Sequence, residues 1–370
     1  LAERAKALVE EAVLAAWTGK VVQLNLQFRE PLSANTPDAV EILQGLDLQV
    51  REGKETNSVV EPAVIDLSVA TVVVAGANSG SFEEEIAALG VPVLAEPTSG
   101  VRHLASSVLG YRFVLDQDSE LTTNIKQVIV YGKPTLSRPV IALLKREDVQ
   151  VIVRPSQMGH FGIGTNIKQV DSPLAGEGSD GSWLESWQAR AKELTPAASG
   201  SLDRRAIIET IWGLGRDLVL GASQLIREAD FYAPGNRVRA WANRGLAGID
   251  GTIATATGIA LQTGAPVTAL MGDLTFFHDA SSLVIDELDG PVELQIVVVN
   301  DRGGKIFSKL EVAQSVSREI FTRVFATPQS GSIEGLAKAY GWEYRTVSSK
   351  SELDVALRVS GRVVIEIALS

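Results

Sequence analysis

Two aspartates carry the chemistry suggested by this sequence. The apolar run 267–271 leads into Gly272-Asp273, and the run 294–299 leads into Asn300-Asp301-Arg302-Gly303-Gly304. Asp273 and Asp301 lie 28 residues apart, the length of one strand, a crossover helix and a second parallel strand. Such a unit sets the two carboxylates side by side at the carboxyl edge of a sheet, where open α/β sheets bind ligands. Hard oxygen donors beside glycine turns suit Mg²⁺, which is usually shared between one or two carboxylates and substrate phosphate oxygens. Asp273 alone would also serve as a cap for the helix after it; the second carboxylate with its glycines points to metal ligation.

The elements that must position this pair repeat along the chain. Residues 1–17 carry apolar side chains at Ala5, Leu8, Val9, Ala12, Val13 and Ala16, a helical period. A strand over 21–28 and a linker over 29–37 follow. The chain opens inside a helix and without Met, so residues 1–32 read as the end of a preceding domain. Buried strands are expected at 70–75, 91–95, 127–131 and 149–153, with helices at 82–89 and from 133 onward. Residues 175–180 read as a Gly- and Ser-rich loop, 183–194 as a helix and 195–201 as a second linker. The last region holds strands at 217–220, 238–241, 267–271, 294–299, 344–347 and 363–367. Helices at 207–213, 224–229, 252–263, 335–340 and 352–359 separate them. The fold class is α/β, with two doubly wound parallel-sheet domains over 33–195 and 196–370. The loop from Gly76 to Gly80 lacks the spacing of a dinucleotide fingerprint and reads better as a helix-capping turn than as a phosphate cradle. Thr-Asn-Ile-Lys-Gln-Val occurs twice, from Thr123 and Thr165, and is too short to be a structural repeat.

Bulk properties remove several classes of function. A net charge of −11 argues against a nucleic-acid surface, so an anionic ligand must be held by local arginines and backbone amides. The chain has no Cys, which excludes disulfides and thiolate chemistry and is compatible with a cytoplasmic address. No apolar run reaches the roughly 18 to 20 residues of a membrane span.

The surroundings of the two aspartates narrow the choice. Gly221-Ala222-Ser223-Gln224-Leu225-Ile226-Arg227 and Asn243-Arg244-Gly245-Leu246-Ala247-Gly248-Ile249-Asp250-Gly251 come first. Gly272-Asp273-Leu274-Thr275-Phe276-Phe277-His278-Asp279 and Asn300-Asp301-Arg302-Gly303-Gly304-Lys305-Ile306-Phe307 follow in that order. This set resembles the 2-succinyl-5-enolpyruvyl-6-hydroxy-3-cyclohexene-1-carboxylate synthases, thiamine-diphosphate enzymes of menaquinone biosynthesis. The stretch from Val22 to Leu32 resembles the end of that family's first domain.

The resemblance implies a pyrimidine-binding remnant over 1–32, a central domain over 33–195 and a diphosphate-binding domain over 196–370. Asp273 and Asp301 would hold Mg²⁺ or Mn²⁺ through carboxylates, and Gly303 through its carbonyl. Gly272, Leu274 and Thr275 would meet the diphosphate at a helix N-terminus, and Ile249 would wedge under the bent cofactor. Ser223, Arg227 and Arg244 would receive the carboxylates of 2-oxoglutarate and isochorismate, because guanidinium forks suit carboxylates. Ile306 and Phe307 would form an apolar wall, and Arg138 would face the site from the central domain. Asp301 stands where the broader signature usually has Asn, and Lys305 where a small or neutral residue is expected. His278 is expected to be structural or to stand behind the ligands, and His103 and His160 to be structural.

The implied reaction is decarboxylation of 2-oxoglutarate followed by addition of the succinyl carbanion to isochorismate, in a homodimer or homotetramer. The family's activating glutamate comes from a partner's first domain, so this chain alone is expected to be inactive. The alternatives are another thiamine-diphosphate decarboxylase or synthase, and a non-catalytic cofactor-binding module.

Overall fold

The β-branched runs become two parallel sheets whose central strands are buried on both faces. The computed structural model describes residues 2–17, 22–23, 61–155 and 163–369. The chain divides into two compact units: residues 1–62 with 157–159, and the remainder. The first contains helix α1 (Ala2–Trp17), at the span expected from its apolar period. The strand expected at 21–28 lies almost wholly outside the described residues, and the linker at 29–37 and His160 lie entirely outside them.

Both sheets belong to the second unit. One is built from β2 (Thr71–Ala75), β3 (Val93–Ala95), β4 (Gln127–Tyr131), β5 (Gln150–Val153) and β6 (Ile167–Gln169), in the order β3-β2-β4-β5-β6. Its helices are α2 (Glu83–Leu89), α3 (Tyr111–Gln117), α4 (Ser119–Asn124), α5 (Arg138–Leu144) and α6 (Ser182–Leu194). Val72, Val74, Val128 and Val130 face Tyr111, Val140 and Trp187 on one side. Their neighbours Val73, Ala75, Ile129 and Tyr131 face Ile86 and Leu89 on the other. Strands apolar on both faces are what a doubly wound sheet demands.

The second sheet follows the same rule. It comprises β8 (Asp217–Leu220), β9 (Ala240–Trp241), β10 (Val267–Gly272), β11 (Leu294–Asn300), β12 (Glu343–Val347) and β13 (Arg362–Ala368). Their order is β12-β13-β11-β10-β8-β9, with every pairing parallel. Helices α7 (Arg204–Gly213), α8 (Gln224–Tyr232), α9 (Thr252–Thr263), α10 (Asp273–His278), α11 (Val312–Ser315), α12 (Arg318–Phe321), α13 (Ile333–Ala339) and α14 (Lys350–Ala356) complete this region. Leu218, Leu220, Leu270, Val297 and Val299 meet α7 and α8. Val219, Ala269, Met271, Ile296 and Val298 meet α9 and α13.

One expectation is corrected. Residues 175–180 do not form a loop throughout, because β7 (Leu174–Glu177) pairs in parallel with β1 (Ala63–Asp66). Gly176 makes room for Leu67, whose Cδ1 would lie 2.1 Å from an added Cβ. A four-residue, half-exposed pair gives too little alternation to be read in advance. The two copies of the repeated hexapeptide take different places in the fold. Its first copy enters central strand β4 with Ile125 and Val128 buried, whereas the second forms edge strand β6 with Ile167, Lys168 and Gln169 exposed. Among the described residues no helix is long and apolar enough to cross a membrane.

Buried polar groups join the two sheets' helical layers. Asp230 of α8 is fully buried and accepts from Tyr111 Oη at 2.6 Å and Arg112 Nη1 at 3.1 Å. Arg102 donates to the carbonyls of Ala95 at 2.6 Å and Ala233 at 2.7 Å. Glu96, at the end of β3, is pushed up to about 8 by burial and by the charge of Asp230. The folded state therefore keeps a proton that the unfolded chain loses near 4.5. The stability this group contributes is full below that value and is lost as the pH rises toward 8. Glu96→Gln removes the dependence, so the melting temperature of the variant relative to the parent is expected to climb between pH 5 and pH 8. Thermal melts across that range check it; a constant difference would contradict the assignment.

Candidate functional site

The site forms where β10 and β11 end together. Their register pairs Gly272 with Val299, so Asp273 and Asp301 leave adjacent strands at the carboxyl edge of the sheet. Asp273 is 3% exposed. Its Oδ2 accepts the Gly303 amide at 2.7 Å and its Oδ1 the Leu274 amide at 2.8 Å. Burial, with a contribution from the charge of Asp301, raises the Asp273 carboxyl above its ordinary value, although the two amides act the other way. A cation between the carboxylates would relieve that repulsion. Asp301 Oδ2 also accepts from Arg204, the first residue of α7.

The glycines are required by close backbone approach. Gly303 has φ +121°, and a Cβ there would meet the Ala326 carbonyl oxygen at 2.2 Å. The next amide, that of Gly304, donates to the same oxygen at 2.7 Å. Gly303→Ala is expected to lift the turn away from Asp273 and to destabilise the fold by about 2 kcal/mol. Urea titration reads this directly, and an unchanged midpoint would contradict the packing argument.

A cavity of about 420 Å³ opens over these strand ends. Ser223, Arg227, Arg244, Ile249, Gly272, Asp273, Leu274, Thr275, Asp301, Gly303, Ile306 and Phe307 all line it. Ser223 caps α8 by accepting the Leu225 amide at 3.2 Å, a role that leaves its hydroxyl proton free to donate. Burial depresses the Arg227 guanidinium, and Arg244, Arg138 and Arg112 add like charge. No carboxylate pairs with Arg227 among the described residues. Arg244 is also depressed by burial, and it donates to the Thr135 carbonyl at 2.9 Å. The cavity lining thus sets four cationic side chains, Arg204, Arg227, Arg244 and Lys305, against two carboxylates, a local field opposite in sign to that of the whole chain.

Arg138 does not line the cavity. It is exposed and pairs with Glu311 at 3.1 Å, although its charge still reaches Arg227. His278 contacts Asp250 at 2.7 Å, and His103 contacts Glu83 at 3.1 Å. Asp279 caps α9, accepting the Ile253 amide at 2.6 Å. The loop from Gly76 to Gly80 is a packed turn: Ser79 donates to the carbonyls of Gly76 and Tyr131, and a Cβ on Gly76 would meet Lys133 backbone at 2.1 Å. Sequence reasoning did not single out Arg204. It lies 97 residues from its partner Asp301, and only folding joins them.

Among the described residues no group of three or more His, Cys, Asp or Glu could hold a metal. Two carboxylates with the Gly303 carbonyl would supply only part of a coordination sphere. That partial set fits an ion whose remaining ligands come from a bound diphosphate.

Residues 221–367, which carry the paired acidic strand ends and most of the cationic cavity, match the family described as thiamine pyrophosphate enzyme, C-terminal TPP binding domain, and this places the chain in the class of thiamine pyrophosphate enzymes. Full-chain relatives narrow the class. A 2-succinyl-5-enolpyruvyl-6-hydroxy-3-cyclohexene-1-carboxylate synthase from Leifsonia xyli subsp. xyli is 37% identical over 94% of this chain and 68% of its own. Synthases of the same name from Renibacterium salmoninarum and Paenarthrobacter aurescens are each 38% identical over 94% of this chain and 65% of their own. The chain belongs to this synthase family, and it spans about two thirds of the length of these relatives.

Proposed function

We propose that the protein carrying this chain catalyses thiamine-diphosphate- and Mg²⁺- or Mn²⁺-dependent decarboxylation of 2-oxoglutarate and addition of the succinyl unit to isochorismate. The observation that carries the reading is Arg227, a half-buried guanidinium with no carboxylate partner among the described residues, beside the Asp273–Asp301 pair. An unpaired cation in a cavity is a receptor for an anion, and both substrates carry two carboxylates. Family membership supports the same choice.

In this reading residues 33–195 are a central domain and 196–370 a diphosphate-binding domain, with 1–32 ending a preceding one. Asp273, Asp301 and the Gly303 carbonyl hold the metal, and Gly272, Leu274 and Thr275 orient the diphosphate. Ile249 fixes the cofactor's bend. Ser223, Arg227 and Arg244 orient substrate carboxylates, Arg138 adds positive charge from the central domain, and Ile306 and Phe307 exclude water from the reacting carbon. Bound thiamine diphosphate supplies the electron sink for decarboxylation and carbon–carbon bond formation. The protein supplies orientation and electrostatics. It works in the cytoplasm as at least a homodimer, on small molecules and without nucleic acid.

The test uses the whole protein that carries this chain, supplies 2-oxoglutarate, isochorismate, thiamine diphosphate and Mg²⁺, and follows product by mass spectrometry. Consumption of 2-oxoglutarate coupled to isochorismate is expected. Decarboxylation without incorporation would instead identify a simple 2-oxoacid decarboxylase, and cofactor binding without turnover a non-catalytic module.

A further inference from the structure

We propose that Glu96 is a positioning residue for Arg244, acting through the backbone of Thr135 and Leu136. Glu96 ends β3 in the first sheet, is 2% exposed, and lies outside the cavity. Its Oε1 accepts the Thr135 amide at 3.0 Å and the Leu136 amide at 2.9 Å, and Oε2 accepts the Thr135 amide at 3.2 Å. The Thr135 carbonyl in turn accepts Arg244 Nη2 at 2.9 Å, while Nε lies 3.5 Å from Thr135 Oγ1. Leu136 extends the same turn into the core of the second sheet.

The start of the turn is held by a backbone bridge between Lys133 and Ala77, and its far side, Thr135 and Leu136, by Glu96. The turn lies between β4 and α5, outside regular structure, and Glu96 accepts two of its backbone amides. Removing the carboxyl orphans both amides, which a buried site does not tolerate without movement. Movement of Thr135 moves the carbonyl that fixes Arg244, whose guanidinium hydrogen-bonds only Thr135 among the described residues. Asp230 of α8, Arg244 and Tyr111 of α3 supply the charged and titratable surroundings of Glu96, and Arg102 and Arg112 act on Asp230 and Tyr111 behind them. With its carboxyl raised by burial, Glu96 works near neutral pH as an uncharged acceptor. Glutamine therefore reproduces its role.

The inference rests on Arg244 being a receptor for a substrate carboxylate. The test measures 2-oxoglutarate binding by calorimetry in protein holding thiamine diphosphate and Mg²⁺. Glu96→Ala, and Glu96→Asp should the alanine variant fail to fold, are expected to weaken binding about tenfold. Glu96→Gln is expected to stay within about twofold, and cofactor affinity is expected to hold in every variant. Adding the Glu96 change to Arg244→Met should cost nothing further, since two residues acting through one contact are not additive. Additive losses, an equal loss of cofactor affinity, or unchanged 2-oxoglutarate binding in Glu96→Ala would overturn the proposal. Should the parent hold cofactor but not 2-oxoglutarate, the dicarboxylate reading fails separately. A crystal structure of Glu96→Asp then decides: Arg244 displaced from the Thr135 carbonyl supports positioning, and Arg244 unmoved overturns it.

Discussion

Replacing Arg227 with methionine is expected to remove 2-oxoglutarate binding while raising the melting temperature of the ligand-free protein. The two effects share one cause. Arg227 is half buried, pairs with no carboxylate among the described residues, and shares its surroundings with Arg244, Arg138 and Arg112, all of the same sign. An ion buried without a partner costs stability, and methionine keeps much of the volume without the charge. The ligand-free protein is therefore expected to gain a few degrees. A charge-assisted fork to a carboxylate contributes roughly 2–3 kcal/mol, so its loss weakens binding by a factor of about 30 to 150. Calorimetry and thermal melts separate the outcomes. A variant that melts lower and binds as before would mean that Arg227 is a structural cation.

Asp273→Ala is expected to have the larger effect on the cofactor. The carboxylate has two duties: it faces Asp301 across the proposed metal position, and it accepts the Leu274 and Gly303 amides. Alanine removes both, so thiamine diphosphate affinity in the presence of Mg²⁺ should fall by at least about a hundredfold. Asp273→Asn separates the duties. It keeps an acceptor for one amide but turns an NH2 donor toward the other, so it should melt between the alanine variant and the parent, and it lacks the charge that binds the metal. If the asparagine variant kept full cofactor affinity, Asp273 would be a helix cap and loop anchor only.

How much of this was legible in the sequence depends on the range of the interaction. The run 267–271 and the glycines after Asp301 signal a strand and a tight turn locally, and the structure places β10, β11 and the Gly303 turn there. β4, β8 and α9 also fall at their expected spans, because continuous apolar runs and small-residue helices carry their own pattern. β7 lies in a span whose sequence reads as loop, because its partner β1 is distant in sequence and only Leu174 is well buried on it. The cavity residues carry the motifs of a known synthase family, and their convergence is a property of the fold. Arg204 and Glu96 illustrate the remainder. Neither sits in a recognisable motif, and each matters through a partner that only the tertiary structure supplies: Asp301 for one, the Thr135–Leu136 turn for the other.

Lys305 extends the same argument. It lines the cavity with Arg204, Arg227 and Arg244, where the family resemblance led us to expect a small or neutral residue. Its side chain is exposed, and its charge has the same sign as those of the three arginines.

The central claim is that Asp273, Asp301 and the Gly303 carbonyl hold a divalent cation against thiamine diphosphate. Crystals grown with thiamine diphosphate and Mn²⁺, with data collected to record the anomalous signal of manganese, test it most directly. The account predicts one anomalous peak about 2.1 Å from a carboxylate oxygen of each aspartate and from the Gly303 carbonyl, with diphosphate oxygens completing the sphere. A peak elsewhere, or bound cofactor with Arg204 still on Asp301 and no metal between the aspartates, would contradict it.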